Sequence, residues 1–213
     1  MSERNLPQNP TVYVVDDDAS IRESLSSLIR AEGLAVEVFA SPLDFLERDD
    51  LSEFSCVVLD VRMPGLDGLA LQEKLAEHGR EIPIIFITGH GDVPLAVRAM
   101  KAGAIDFLNK PFRDTDLLAA INQALSRVSA HSHERRELAD LRRLFDSLTP
   151  REKQIMLNVA QGKPNKLIAY DLSVSESTVK VHRHNLMAKM HLKSVAELAL
   201  VIQRLSAREA GQG

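Results

Sequence analysis

The sequence predicts an α/β domain with a five-stranded, doubly wound parallel sheet, followed by a smaller all-α domain of four helices. Between residues 11 and 128, five short apolar runs each precede an amphipathic stretch of helical length. Near-continuous apolar strands joined by helices are typical of a parallel sheet that is covered on both faces. A change in charge marks the second domain, because residues 146–213 carry ten Lys and Arg against six Asp and Glu while the whole chain has a net charge of −4. A basic segment on an acidic body is typical of a small module that binds a polyanion.

The five strand–helix pairs follow one another along the chain. The strands are predicted at TVYVV, AVEVF, CVVLD, PIIFIT and AIDFL, and the helices at SIRESLSSLIRAEG, SPLDFLERDD, DGLALQEKLAEHG, DVPLAVRAMKAG and FRDTDLLAAINQALSRV. A doubly wound sheet binds its ligand at the carboxyl ends of its strands. The residues that follow each strand are therefore the first candidates for chemistry.

A charged segment between residues 127 and 148 is predicted to be a helical linker. It carries apolar residues at helical spacing, namely Leu138, Leu141, Leu144 or Phe145, and Leu148. The same stripe could pair with a second copy as a short coiled coil, but fewer than three clean heptads make this the lesser interpretation. We predict a first domain over residues 1–128, a linker over 129–147 and a second domain over 148–213.

The second domain begins with the pattern of a helix start. Thr149 is the predicted N-cap, Pro150 the first helical residue and Glu152 the partner in a capping box. The helical segments REKQIMLNVAQG, PNKLIAYDL and ESTVKVHRHNLMAKM follow, and a last helix opens with a second capping box from Ser194 to Glu197. A short helix, a tight turn and a longer basic helix fit helix-turn-helix geometry.

Composition excludes several classes of protein. The single cysteine, Cys56, lies in an apolar run, which argues against a disulfide framework or a thiolate metal site. The histidine pairs His182 with His184, and His131 with His133, lack further ligands at metal-binding spacing. The N-terminus lacks the layout of a signal peptide and no apolar run reaches membrane-spanning length, so we expect a cytoplasmic protein with no membrane partner.

Carboxylates, a hydroxyl and a lysine follow the predicted strands. They are Asp16, Asp17 and Asp18 after the first strand, Asp60 after the third, Thr88 after the fourth, and Lys110 with Pro111 after the fifth. Clustered carboxylates repel one another unless a cation neutralises them, and oxygen ligands favour Mg²⁺. We expect Asp16 and Asp17 to hold this ion and Asp18 to cap the next helix.

Asp60 is the candidate nucleophile of this cluster. A carboxylate beside a bound metal ion can form an aspartyl-phosphate. Lys110 would then pair with the phosphate oxygens, and the Thr88 hydroxyl would donate a hydrogen bond to them. Taken singly, each of these residues is more often a turn, cap or solvated residue, so the hypothesis depends on the joint pattern.

Four motifs in order resemble the receiver domain of two-component response regulators, a flavodoxin-like fold. They are VVDDD, VVLDVRMPGLDG, PIIFITGHGD and DFLNKPF, and the resemblance covers residues 11–128. It implies that Asp60 accepts a phosphoryl group from a sensor histidine kinase. It also implies that Mg²⁺ is held by Asp17, Asp60 and the backbone carbonyl of Arg62, with Asp16 acting through water, and that the peptide between Lys110 and Pro111 is cis.

The same resemblance implies a switch. In this family a phosphoryl group on Asp60 draws in Thr88, and an aromatic residue three positions before the lysine, here Phe107, turns inward. Simple core packing is the alternative role for Phe107. The surface formed by residues 92–108 would then change, and two copies of the chain would pair through it as a homodimer. GHGDVPLAVRAMKAGAIDFLNKPF is similar to the nitrogen-fixation subgroup of the FixJ/NarL family, from which Asn109 departs because an acidic residue is expected there.

The phase of the longer basic helix separates two faces. Val179, Leu186 and Met190 form one stripe, which should face the bundle, while Ser177, Lys180, Val181 and His184 form another. Lys180 can donate to guanine, Val181 can touch a thymine methyl group and His184 can donate or accept. Flanking residues suited to phosphates are Lys166, Thr178, His182, Arg183 and Lys189.

On charge alone, a solvated basic face is the preferred interpretation of this helix. However, residues 148–198 resemble the LuxR-type helix-turn-helix, including the TVKVH core and the position of Lys189. The resemblance implies that Lys180, Val181 and His184 read bases. Lysine is frequent at the His184 position in that family, so the base preference there does not carry over.

Together these features predict a phosphorylation-dependent transcription factor, by subgroup resemblance an activator, with promoter DNA and RNA polymerase as partners. A phosphatase of the haloacid dehalogenase type is the enzymatic alternative, but Arg62 stands where its second aspartate belongs. We therefore expect at most slow self-dephosphorylation rather than an enzyme. A third alternative is constitutive DNA binding with an idle receiver.

Overall fold

The computed structural model describes residues 10–89 and 93–209. The chain divides into two compact units, Met1–His131 and Ser132–Gly213. The N-terminal residues on which the signal-peptide expectation rested lie outside the described residues, as do His90, Gly91 and Asp92 of the predicted fourth loop and dimer surface.

The first unit alternates strands and helices as predicted. The strands are β1 (Thr11–Val15), β2 (Ala35–Phe39), β3 (Ser55–Asp60), β4 (Ile84–Thr88) and β5 (Asp106–Asn109). The helices are α1 (Ala19–Ala31), α2 (Pro42–Leu46), α3 (Gly68–Glu77), α4 (Val93–Lys101) and α5 (Asp114–Asp146). All strand pairs are parallel in the order β2-β1-β3-β4-β5, so the predicted doubly wound sheet is confirmed. This order places the ligand crevice at the carboxyl ends of β1 and β3.

The strand register places the two candidate carboxylates side by side. Val15 at the end of β1 pairs with Leu59 of β3, so Asp16 and Asp60 follow as neighbours. Thr88 of β4 pairs with Asn109 of β5, which brings Lys110 to the same end of the sheet. The carboxyl ends of β1, β3, β4 and β5 thus lie at the same edge of the sheet.

Apolar cores on both faces of the sheet explain the unbroken apolar runs. In β3, Cys56 and Val58 pack into one core, while Val57 and Leu59 pack into the other. All six residues of β3 are buried, whereas the edge strands β2 and β5 are only partly covered. A strand that is buried on both sides has no polar alternation to show in its sequence.

The second unit contains α6 (Pro150–Ala160), α7 (Asn165–Asp171), α8 (Glu176–Lys189) and α9 (Val195–Glu209), which confirms the predicted four-helix domain. These helices share a core formed by residues such as Ile155, Val179 and Leu186. The apolar residues of the predicted linker also pack against this core: Leu138, Leu141, Leu144 and Phe145. The stripe that suggested a coiled coil is therefore partly covered within the chain.

The two predicted capping boxes differ in the structure. Thr149 accepts from the backbone N–H of Glu152, whose carboxylate accepts from the backbone N–H of Thr149, so the first box is confirmed. At α9, Ser194 accepts from the backbone N–H of Glu197 at 3.2 Å, but the Glu197 carboxylate accepts from Lys193 instead of Ser194. The second box is thus only half formed, because the carboxylate binds the preceding amide.

No helix in the described part of the chain is both long enough and apolar enough to cross a membrane.

Candidate functional site

The loop after β1 places three aspartates in three different environments. Asp16 is 1% exposed, and its Oδ1 accepts from the backbone N–H of Asp18 at 2.9 Å. Asp18 caps α1 as predicted, accepting from the backbone N–H of Ser20 at 2.8 Å. Asp17 is exposed. The Arg22 guanidinium donates to the backbone carbonyl of Asp16 at 2.6 Å and so holds the loop from the side of α1.

Asp60 ends β3 and is 6% exposed. Its Oδ2 accepts from the backbone N–H of Arg62 at 2.7 Å. Gly68, at the start of α3, lies directly against this segment, since a Cβ added there would overlap the backbone carbonyl oxygen of Asp60. The backbone N–H of Gly68 also donates to the backbone carbonyl oxygen of Val61 at 2.9 Å. The close approach of α3 therefore depends on glycine at this position.

Lys110 joins the two buried carboxylates. Its Nζ lies 2.7 Å from Asp16 Oδ2 and 2.7 Å from Asp60 Oδ1. Its backbone N–H donates to the carbonyl of Thr88 at 2.7 Å, and the Lys110–Pro111 peptide is cis, as the resemblance implied. Each aspartate thus has one oxygen bound by a local backbone amide and the other by the same ammonium.

Asp16 and Asp60 share the ammonium of Lys110. The pKa values of Asp60 and Lys110 are both raised above their ordinary values. Burial raises the pKa of Asp60 above its ordinary value, with Asp16 adding repulsion, although Lys110 and the Arg62 amide oppose the rise. Burial alone would lower the pKa of Lys110, but its hydrogen bonds to Asp16 and Asp60 outweigh burial and raise that pKa. The lysine therefore stays cationic between the two carboxylates.

The predicted metal ligands are only partly gathered. Asp16 and Asp60 converge on Lys110, whereas Asp17 is exposed. Across residues 10–89 and 93–209, no group of three or more His, Cys, Asp or Glu side chains is arranged to hold a metal ion. The donor chemistry still suits a hard cation, since every nearby acceptor is an oxygen.

The predicted switch residues border the same edge. Thr88 ends β4 and is 1% exposed. Phe107 is partly buried against the core below the site, with its ring centroid 6.2 Å from that of Phe86. In this structure Phe107 therefore contributes to core packing.

In the second unit, α8 presents the two faces predicted from its sequence. Val179, Leu186 and Met190 are buried in the core. The other stripe is exposed along its length: Ser177, Lys180, Val181 and His184. Ser175 caps the helix by accepting from the backbone N–H of Thr178 at 3.1 Å, and its hydroxyl also contacts those of Ser177 and Thr178. The stripe predicted to read bases is thus exposed rather than packed in the core.

The residues predicted to contact phosphates differ in their surroundings. Lys166 is exposed and His182 is partly buried. The Arg183 guanidinium donates to the side-chain oxygen of Asn165 at 3.1 Å. The ammonium of Lys189 lies 2.8 Å from the buried carboxylate of Glu152.

Glu152 was predicted only as a capping residue, yet it also binds the end of α8. The hydrogen bond from Lys189 lowers the pKa of Glu152, and the Thr149 donors add to this effect against the opposing influence of burial. Sequence reasoning also missed Arg22 and Gly68. None of the three stands out by residue type, because each acts through a contact that only the folded chain creates.

Comparisons with known proteins agree with this geometry. Residues 12–122 match the family model of the response regulator receiver domain, and residues 146–202 match that of bacterial regulatory proteins of the luxR family. The chain is 50% identical to the response regulator protein TmoT of Ectopseudomonas mendocina, over 93% of this chain and 90% of TmoT.

Two solved structures extend the likeness to the whole chain. The response regulator StyR is 48% identical, with a TM-score of 0.81 that covers 92% of this chain and 99% of that one. Full-length FixJ from B. japonicum is 42% identical, with a TM-score of 0.59 over 95% and 99% of the two chains. The chain therefore belongs to the two-component response regulators of the FixJ/NarL family, and it is a phosphorylation-dependent transcription regulator with a receiver domain and a LuxR-type DNA-binding domain.

Proposed function

We propose that Asp60 accepts a phosphoryl group from the phosphohistidine of a sensor kinase, and that Lys110 and Thr88 hold the transferred group. The observation that supports this proposal is the Lys110 ammonium, which lies 2.7 Å from both Asp16 and Asp60. A carboxylate oxygen of Asp60 forms the new O–P bond while the P–N bond to the kinase histidine breaks, and the imidazole nitrogen leaves with the electron pair. Lys110 then offsets charge on the phosphoryl oxygens.

The residues that would hold Mg²⁺ are Asp17, Asp60 and the backbone carbonyl of Arg62, with Asp16 acting through a water molecule. Their donors are all oxygens, and the two buried carboxylates exceed the charge of the one ammonium between them. When bound, the ion neutralises charge on the carboxylates and on the incoming phosphoryl oxygens. The exposed Asp17 side chain follows Asp16 in sequence and would bind the ion directly.

An apolar stripe on α4 is the proposed surface for homodimer formation. Val93, Val97 and Met100 are spaced by one and two helical turns, and they are 77%, 45% and 46% exposed. They lie within the predicted surface of residues 92–108, which also contains β5 and Phe107. A phosphoryl group that draws Thr88 toward Asp60 would open space beside Phe107, and the surface would then pair with a second copy.

Dimerisation would place two α8 helices on adjacent half-sites of promoter DNA. The first contact raises the effective concentration of the second, which converts weak single-site binding into useful affinity. Lys180, Val181 and His184 would read bases, and RNA polymerase would be the partner in activation. The protein would work in the cytoplasm, where its DNA lies, and would dephosphorylate itself only slowly.

Treatment of the full chain with acetyl phosphate and Mg²⁺ tests the proposal. We expect a shift to the dimer in size-exclusion chromatography, together with tighter binding to a DNA site selected by the treated protein. Asp60→Asn keeps the shape of the side chain but removes the nucleophile, and it should show neither change. A dimer shift of equal size in Asp60→Asn would contradict the proposal.

A further inference from the structure

The Glu152 carboxylate is buried in the second unit, and the proposed chemistry makes no use of it. Its side chain is 3% exposed, and Oε2 accepts from Thr149 N, Thr149 Oγ1 and Lys189 Nζ at 2.8, 3.0 and 2.8 Å. The bonds to Thr149 account for its capping role. The bond from Lys189 joins the first turn of α6 to the last residue of α8, which lies 37 positions later.

Lys189 lies away from the base-reading stripe of Ser177, Lys180, Val181 and His184. At 3.6 residues per turn, it lies about 130° around the helix from the centre of that stripe. It also follows Lys180 by nine residues, which is about 13 Å along the helix axis. Instead, Lys189 borders the buried stripe that contains Leu186 and Met190. Its position suits contact with α6 better than contact with the DNA that Lys180 would reach.

If the Lys189 ammonium turned fully toward a DNA phosphate, Glu152 would lose its cationic partner. A buried carboxylate that loses its partner is strongly destabilising, because the charge remains without solvent or counter-ion. A single phosphate contact at the edge of an interface is weaker than this buried ion pair, because water also solvates the phosphate. The ion pair should therefore persist when DNA binds.

We propose that Glu152 and Lys189 are positioning residues that set the orientation of α8 for base reading, and that Lys189 does not contact a DNA phosphate. This inference rests on the proposed DNA-binding function. The ion pair ties the last residue of α8 to the first turn of α6, whereas the Ser175 cap closes only the first turn of α8 itself. A tilt of about 5° at the Lys189 end would displace Lys180 by roughly 1 Å, which is enough to spoil a hydrogen bond to a base.

The salt dependence of DNA binding distinguishes a phosphate contact from a positioning residue. Each neutralised phosphate contributes about 0.9 to the slope of log affinity against log salt. The probe is a mixed-sequence duplex of about 30 base pairs, to which the full chain binds through phosphates alone. We expect Lys189→Gln to leave the slope unchanged, whereas Lys166→Gln, at an exposed lysine of α7, reduces it by about 0.9.

Specificity supplies the second measurement, on a site that the wild-type protein selects from a random library. We expect Lys189→Gln and Glu152→Gln each to lower the ratio of selected-site to mixed-sequence affinity by about five- to a hundredfold, the effect of one lost base contact. Lys189→Arg keeps the charge and should restore most of the ratio. If circular dichroism shows that Lys189→Gln does not fold, the specificity ratios of Glu152→Gln and Lys189→Arg are compared instead.

Two results would overturn the proposal: a slope that falls by about 0.9 in Lys189→Gln, or a specificity ratio that is unchanged in both neutral variants. Failure of the wild-type protein to bind either duplex is a different outcome. It would refute the proposed DNA-binding function on which the inference rests.

Discussion

Each of the two units contains a lysine that reaches a buried carboxylate, but the two ion pairs are balanced differently. In the first unit Lys110 is shared between Asp16 and Asp60. In the second unit Lys189 serves Glu152 alone, and Thr149 supplies two further donors. Burial raises the pKa of Asp60 in spite of Lys110, whereas the hydrogen bond from Lys189 lowers the pKa of Glu152 in spite of burial.

The difference shows how a lysine and a buried carboxylate serve chemistry in one unit and structure in the other. An excess carboxylate leaves the first site in need of positive charge, which a divalent ion can supply. A matched carboxylate and ammonium leave no such need, and breaking the second pair would destabilise the fold because one charge would be left without a partner. We therefore expect chemistry at the site where two buried carboxylates share one lysine.

The largest expected effect comes from removal of the shared lysine. Lys110→Met should slow the phosphorylation of Asp60 by acetyl phosphate about 10²- to 10³-fold, because a preorganised cation at the developing phosphoryl charge is lost. The measurement is the initial rate at saturating Mg²⁺. Lys74→Met, at an exposed lysine of α3, is the matched control and should keep the wild-type rate. Equal rates in the two variants would remove Lys110 from the mechanism.

The next effect concerns the backbone that supports the first site. Gly68→Ala should destabilise the receiver by about 1–3 kcal/mol and slow phosphorylation, because the added methyl group displaces the Asp60 carbonyl. Gly89→Ala is the control, since a Cβ added at Gly89 meets no atom within 4 Å. Urea unfolding of both variants measures the difference. Equal stability would show that α3 can move without disturbing β3.

The comparison itself predicts opposite signs for two neutralising substitutions. Glu152→Gln should lower the stability of the DNA-binding unit by about 1–3 kcal/mol, because it leaves Lys189 without its buried partner. Asp60→Asn should instead raise the stability of the receiver, because one of two competing buried carboxylates is gone. Urea unfolding followed by probes in each unit measures both. If both substitutions destabilised their units, the proposed difference in charge balance between the Lys110 and Lys189 ion pairs would be refuted.

The smallest effect is a difference in pH dependence. The pKa of Glu152 is lowered by folding, so its stabilisation is present above the ordinary pKa of 4.5 and is lost as the pH falls through the folded value. The pKa of Asp60 is raised, so its penalty is present at neutral pH and disappears as the pH falls toward the ordinary value of 3.8. The stability difference between wild type and Glu152→Gln should thus shrink below about pH 4.5. A difference that is constant down to about pH 3 would contradict this assignment.

The sequence predicted the receiver edge well for a physical reason. Asp16 and Lys110 each follow a strand and Asp60 and Thr88 each end one, and parallel strands bring their carboxyl ends together whatever the details of packing. The stripes of α8 were predictable for a similar reason, since helical periodicity alone assigns Val179 and Lys180 to different faces.

Contacts between distant segments could not be predicted in this way. The partner of Lys189 lies 37 positions earlier, and no local pattern links the two residues. The closeness of Gly68 to Asp60 depends on how α3 packs against β3. The exposure of Asp17 depends on the turn after β1, which no strand pattern specifies.

Borohydride trapping tests most directly whether the Asp60 carboxylate beside Lys110 carries the phosphoryl group. Borohydride reduces an aspartyl-phosphate to homoserine, which peptide mass spectrometry can assign to a position. After treatment with acetyl phosphate and Mg²⁺, we expect homoserine at position 60 of the wild-type chain and none in Asp60→Asn. Homoserine at position 16 or 17, or a stable phosphate on another residue without homoserine at position 60, would contradict the account.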